Sequence, residues 1–156
     1  MIKRIRKFLV TVSLVFAAIG ALFLAGCGAA NAASPFDGVY GVVTLASHHF
    51  PDRGYNQVNP GIGIEYDTGN WGFAAGSYKN SFYRRTNYAV VGYFPLTLGN
   101  YRFGGFVGPA TGYAVPVAGG ALIEYRKDRV GFNVMILPPA QKEGSVAVGL
   151  QVVFKF

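Results

Sequence analysis

The chain has 156 residues, with 14 Lys and Arg against 7 Asp and Glu, 22 Gly, 10 Tyr, 13 Phe and one Cys. One thiol excludes an intramolecular disulfide. Four of the basic residues lie in the first seven positions; without them ten basic residues face seven acidic ones, a net of +3, too little and too scattered to suggest nucleic acid.

Lys3, Arg4, Arg6 and Lys7 precede the apolar run from Phe8 to Leu24, and small residues follow. This order reads as a secretory signal peptide and not as a membrane span, because the apolar run is short and no stop-transfer flank follows it. Two exits are open. Ala30-Asn31-Ala32 fits cleavage before Ala33, which makes 1–32 the signal and 33–156 the mature domain. Alternatively, Leu24-Ala25-Gly26-Cys27 resembles a bacterial lipoprotein signal, with 1–26 removed and Cys27 lipidated. The mature chain suffices for one domain, and with no second long apolar run it points to a barrel or sandwich and away from a helical membrane protein.

Gly38 to Phe50 reads as a first strand ending in two histidines, and Pro51 to Asn59 as a polar loop. Pro60 to Tyr66 alternates Ile with Gly and Glu as a second strand would, and Asp67-Thr68-Gly69-Asn70 is a hairpin turn. Trp71 to Lys79 is a third strand, Thr86 to Pro95 a fourth, and Leu96 to Asn100 a tight turn. Tyr101 to Gly108, Val115 to Arg126, Arg129 to Leu137 and Gly144 to Phe156 supply strands five to eight, with Lys127-Asp128 as a two-residue turn.

The last strand is the clearest. Val146, Val148, Leu150, Val152, Phe154 and Phe156 share one parity, and small or polar residues hold most of the other. Strand side chains alternate faces, so one face is wholly apolar. Its length suits a tilted membrane strand ending on an interfacial aromatic, whereas a soluble apolar edge of that length would invite aggregation. Short connections alternate with long ones, as in outer-membrane barrels. The expected fold is therefore all-β: an eight-stranded antiparallel up-and-down transmembrane β-barrel of the outer-membrane type. Such a barrel holds side chains or one small ligand and is not a pore. The expected location is the bacterial outer membrane.

Trp71, Tyr88, Tyr93, Phe94, Tyr101, Phe103 and Tyr125 cluster near strand ends, as an aromatic girdle would. Glycines at 61, 63, 72, 76, 104, 105, 119 and 120 either hollow the interior for a ligand or relieve crowding in a narrow barrel.

Three groups converge on the expected outer rim: His48-His49, Asn56 with Asn59, and Lys79-Asn80-Ser81. Strands one and three have one strand between them, so a histidine and a serine can meet across the mouth. An imidazole beside a hydroxyl is what acyl transfer requires, although solvated rim residues would read the same way. Two adjacent strand histidines point to opposite faces and chelate poorly. No metal cluster or phosphate-cradling loop is visible, so no cofactor is expected.

The stretch from about Tyr55 to Phe156 resembles the outer-membrane lipid A palmitoyltransferase family (PagP). The resemblance rests on Tyr55-Asn56 before Pro60-Gly61, on Gly69-Asn70-Trp71, on Lys79-Asn80-Ser81-Phe82 and on Val115-Pro116-Val117. It continues through Phe132 to Pro138 and the closing Val152 to Phe156. It implies transfer of a palmitoyl chain from a phospholipid to lipid A by a rim His, Asp and Ser. Ser81 matches the serine, and His49 the histidine, with His48 as the alternative. Asn80 stands where the family has aspartate; an asparagine can hold an imidazole but cannot stabilise its protonated form. Gly92 matches the glycine flooring the family's acyl pocket. The family uses strand prolines as lateral gates for lipid, where a missing donor leaves ladder bonds unmade; Pro60 and Pro138 are the candidates for that role here, while Gly120 replaces another expected proline. The family's N-terminal amphipathic helix has no counterpart, and a lipid on Cys27 would supply an anchor in its place.

Arg84 and Arg85, just past Ser81, suit lipid A phosphates or are ordinary rim charges. The expected partners are thus a phospholipid donor and a lipid A acceptor, with no nucleic acid and a monomeric state. A non-catalytic barrel or lipoprotein that alters or masks the cell surface is the alternative, and lipid A deacylation a third reading.

Overall fold

The computed structural model describes residues 34–139 and 144–156; the signal segment, both cleavage alternatives and Cys27 fall outside them. Eight strands follow one another: β1 (Gly38–Phe50), β2 (Val58–Thr68), β3 (Trp71–Lys79), β4 (Arg85–Leu98), β5 (Tyr101–Pro109), β6 (Val117–Lys127), β7 (Val130–Leu137) and β8 (Val146–Lys155). Each pairs antiparallel with the next, and β8 pairs with β1, closing the barrel. Closure leaves no sheet edge unpaired.

Two-residue turns at 69–70, 99–100 and 128–129 gather at one end, where Gly69 and Gly99 take positive φ. Connections 51–57, 80–84 and 110–116 gather at the other, the rim, where β7 ends and β8 begins. β5 to β8 differ from the sequence reading by one or two residues at their ends, and β2 and β4 differ more. β4 runs on to Leu98 instead of ending at Pro95, because its register with β5 skips between Tyr93 and Leu96 and so accommodates a residue that cannot donate to the ladder. β2 begins at Val58, with Pro60 inside it. Pro60 faces a second irregularity, where β1 skips between Thr44 and Ala46 against both neighbours.

Period-two alternation sorts the residues. The outward positions are apolar and exposed, among them Val39, Ile62, Ile64, Phe73, Val107, Val130, Ile136, Leu150 and Phe154. Near the turn end they become aromatic: Trp71 lies 4.9 Å from Tyr93, Tyr101 4.8 Å from Tyr125, and Tyr125 6.4 Å from Phe132.

Inside, the turn half is packed around charge. Arg102 Nη2 lies 2.5 Å from Asp67 Oδ1, and Arg102 also pairs with Glu124. Arg126 pairs with Glu65 and lies 3.3 Å from Glu124. The Arg102 guanidinium lies over the rings of Phe36 and Phe94 at 4.8 and 3.8 Å, and Arg126 lies over Tyr40 at 4.8 Å. Oxygens of Glu65, Asp67 and Glu124 lie within 4.8 Å of one another, a spacing that suits a cation, and the cations bonded to them are the two guanidiniums. Charges this deep require such pairing, since an isolated one costs several kcal/mol.

Candidate functional site

The candidate site is where connection 51–57 meets connection 80–84. Asn56 donates its backbone N–H to the Ser81 carbonyl at 2.9 Å and its amide to the Asn80 carbonyl at 3.0 Å. Asn59 donates to the Lys79 carbonyl at 2.9 Å and accepts from Ser47 Oγ at 2.6 Å. The two asparagines therefore clasp the serine-bearing connection onto β1 and β2.

That clasp brings His49 and Ser81 together, with Nε2 and Oγ 2.9 Å apart. The imidazole is 5 % exposed. Its ring packs on Tyr55 at 4.7 Å, and Tyr55 meets Phe82 edge-on at 5.6 Å. With the proton on Nδ1, Nε2 accepts from the serine hydroxyl, the polarity a general base needs. Nδ1 is buried without a hydrogen-bond partner among the described residues. The Asp52 carboxylate lies within electrostatic reach of the ring, and it accepts from Gly54 N and Gln57 Nε2, each at 2.9 Å.

His48 faces the other way, exposed, with Nδ1 2.7 Å from Gln57 Oε1 and its ring 4.4 Å from Phe50. Between the two histidines, it is His49 that meets the serine.

Asn80 does not orient the imidazole as expected. It is fully buried, and its amide is committed elsewhere. Oδ1 accepts from Phe82 N at 2.9 Å and Arg84 N at 3.0 Å; Nδ2 donates to Thr86 Oγ1 at 3.0 Å and the Gly112 carbonyl at 3.1 Å. Its side chain caps the tight 80–84 connection, in which Tyr83 takes a positive φ of 62°, and ties it to connection 110–116. Gly112, at φ 81°, completes the hub: a Cβ there would lie 2.9 Å from the Asn80 amide nitrogen.

Arg84 and Arg85 are exposed at the rim. Arg85 Nε donates to Ser77 Oγ at 2.9 Å and borders an open crevice of about 430 Å³ on the wall, lined also by Leu45, Pro60 and Ile62. Pro138 follows β7 and lies outside any strand.

Gly92 is not open to a ligand, because Phe94 Cε2 and Cζ lie 3.1 and 3.3 Å from the point its Cβ would occupy. Gly63 and Gly76 make room for a side chain, with the Tyr88 hydroxyl 2.7 Å from both Cβ positions. Below Ser81, the Tyr78 and Tyr113 hydroxyls are 2.9 Å apart. Tyr113, in connection 110–116, has its phenol pushed up by burial.

Sequence reasoning missed Tyr55 and Asp52 as site residues. Tyr55 was visible only as part of a motif, and Asp52 as one polar loop residue among several. No family model matches the chain, and no curated protein matches it.

Proposed function

We propose that the protein is an outer-membrane acyltransferase of the lipid A palmitoyltransferase type, an up-and-down barrel moving an acyl chain from a phospholipid to lipid A. The observation that carries this reading is the 2.9 Å contact of Ser81 Oγ with His49 Nε2 at the rim. An apolar outer wall with an aromatic band at the turn end supports a membrane setting.

In this scheme Ser81 Oγ attacks the ester carbonyl of the donor while His49 takes its proton. The imidazolium returns that proton to the departing lysophospholipid alcohol. A lipid A hydroxyl then gives its proton to His49 and attacks the acyl-serine, and Ser81 recovers its hydrogen as the acylated product leaves. Arg84 and Arg85 face the solvent-side phosphates, and Pro60, at the irregular β1–β2 seam, marks the lateral entry.

A second reading, a non-catalytic surface barrel, is favoured by one observation: no carboxylate hydrogen-bonds His49 Nδ1 among the described residues. Lipid A mass spectrometry on a Gram-negative host expressing the chain separates the two. A gain of one acyl mass that Ser81→Ala and His49→Ala abolish supports the enzyme; an unchanged lipid A leaves the surface barrel, and a loss of mass indicates deacylation.

A further inference from the structure

The barrel interior is divided. In the turn half Phe36, Tyr40, Phe94, Val153, Arg102 and Arg126 are at most 2 % exposed. In the rim half the inward positions Leu122, Met135, Leu137 and Ala147 are only half-buried. An inward side chain that keeps accessible surface borders space inside the barrel or at its mouth, and here that surface is apolar.

A bonded polar layer separates the halves. Gln151 Nε2 donates to Thr44 Oγ1 at 3.1 Å, and Asn133 Nδ2 to Glu65 Oε2 at 2.7 Å. Arg126 Nη1 donates to Asn133 Oδ1 at 2.7 Å. The Tyr88 hydroxyl lies against Gly63 and Gly76, 2.7 Å from either Cβ position, whereas Gly92 is covered by Phe94 of the packed half.

We propose that Tyr88 and the Thr44–Gln151–Asn133 layer, not Gly92, form the floor of the acyl site, so that the chain held there is of medium length and shorter than palmitoyl. The inference rests on the acyltransferase reading. From His49 down to Thr44 the strand covers about 17 Å, which at a tilt of about 40° is about 13 Å of depth, room for about ten carbons. A longer chain would have to part Asn133 from Glu65 and Arg126, costing each of these buried charged groups a hydrogen bond. That makes the stop abrupt. Tyr88 is the adjustable part, since it stands on glycines and its removal opens depth beside the layer.

The test uses the purified full barrel in phospholipid nanodiscs, titrated with straight-chain fatty acids from eight to sixteen carbons, with thermal unfolding as the readout. Affinity rises about four-fold per methylene up to about ten carbons and then levels. Tyr88→Ala moves that break to longer chains, Leu122→Phe moves it to shorter ones, and Gly92→Ala leaves it in place. A rise continuing to sixteen carbons, a break that shifts with Gly92→Ala and not Tyr88→Ala, or no fatty-acid effect at all overturns the proposal. Lipid A from the expressing host is weighed in parallel. A mass gain matching a medium chain supports both readings, and a palmitoyl gain overturns the floor assignment. A chain-length break without any mass gain keeps the floor and removes the enzyme.

Discussion

Ser81 Oγ, on the connection that Asn56 clasps, and His49 Nε2, near the end of β1, stand 2.9 Å apart while the imidazole is almost wholly buried. A hydroxyl and a base held this way are matched in distance before any substrate arrives.

Removing either partner removes that match. Ser81→Ala and His49→Ala should each lower acyl transfer on the order of 100- to 10,000-fold, the usual contribution of a positioned base. The double variant should be no worse than the worse single, because the pair acts as a unit. Lipid A mass spectrometry gives the rate, and denaturant unfolding checks that the barrel is intact. Additive losses would mean that the two do not act together.

Asn80→Asp is the most informative single change. If residue 80 steadied the imidazole, a carboxylate would raise activity. The hydrogen bonds observed predict the reverse: aspartate loses both donors, leaving Thr86 Oγ1 and the Gly112 carbonyl facing an anion. The expected cost is about 2 kcal/mol or more of stability, with activity falling alongside. A more active, equally stable variant would return residue 80 to the catalytic group.

Arg102→Met should destabilise by about 3–5 kcal/mol, since it removes the nearer of the two cations that Asp67 and Glu124 share and leaves three buried carboxyls to Arg126 alone. Adding Asp67→Asn should recover part of the loss. Equilibrium unfolding of the four proteins forms a double-mutant cycle, and a coupling energy near zero would contradict the observed pairing.

The membrane setting is tested on the outer wall. Leu150 faces outward midway along β8, so Leu150→Arg should cost about 2–4 kcal/mol in a bilayer, against about 0–1 kcal/mol for Phe156→Arg at the chain end. Equal costs, measured by unfolding from lipid vesicles, would argue that hydrocarbon does not surround the barrel.

The eight strands were legible because alternation is a local property: β8 shows its parity without reference to any neighbour. The end of β4 was not, since Pro95 looks like a terminator and only pairing with β5 shows the register skip that accommodates it. Ser81 and His49 were readable as candidates from strand order. The function of Asn80 was hidden, because its amide is satisfied partly by Gly112, 32 residues away, and a polar residue beside a serine suggests a catalytic partner. The charge cluster was illegible for the same reason. Glu65, Asp67, Arg102, Glu124 and Arg126 read as ordinary charges near turns until closure turns them all inward.

That inward cluster bears on how the molecule can be built. Its five titratable groups come from β2, β5 and β6: Arg102 and Glu124 meet within the β5–β6 hairpin, but Glu65 and Asp67 on β2 find their guanidiniums only across the barrel. A partly assembled sheet lying in hydrocarbon would carry bare carboxylates and guanidiniums, each a multi-kilocalorie liability. In the proposed membrane setting half-finished cylinders are thereby disfavoured, so insertion there should proceed as one concerted event, and intermediates with two or three hairpins should not accumulate.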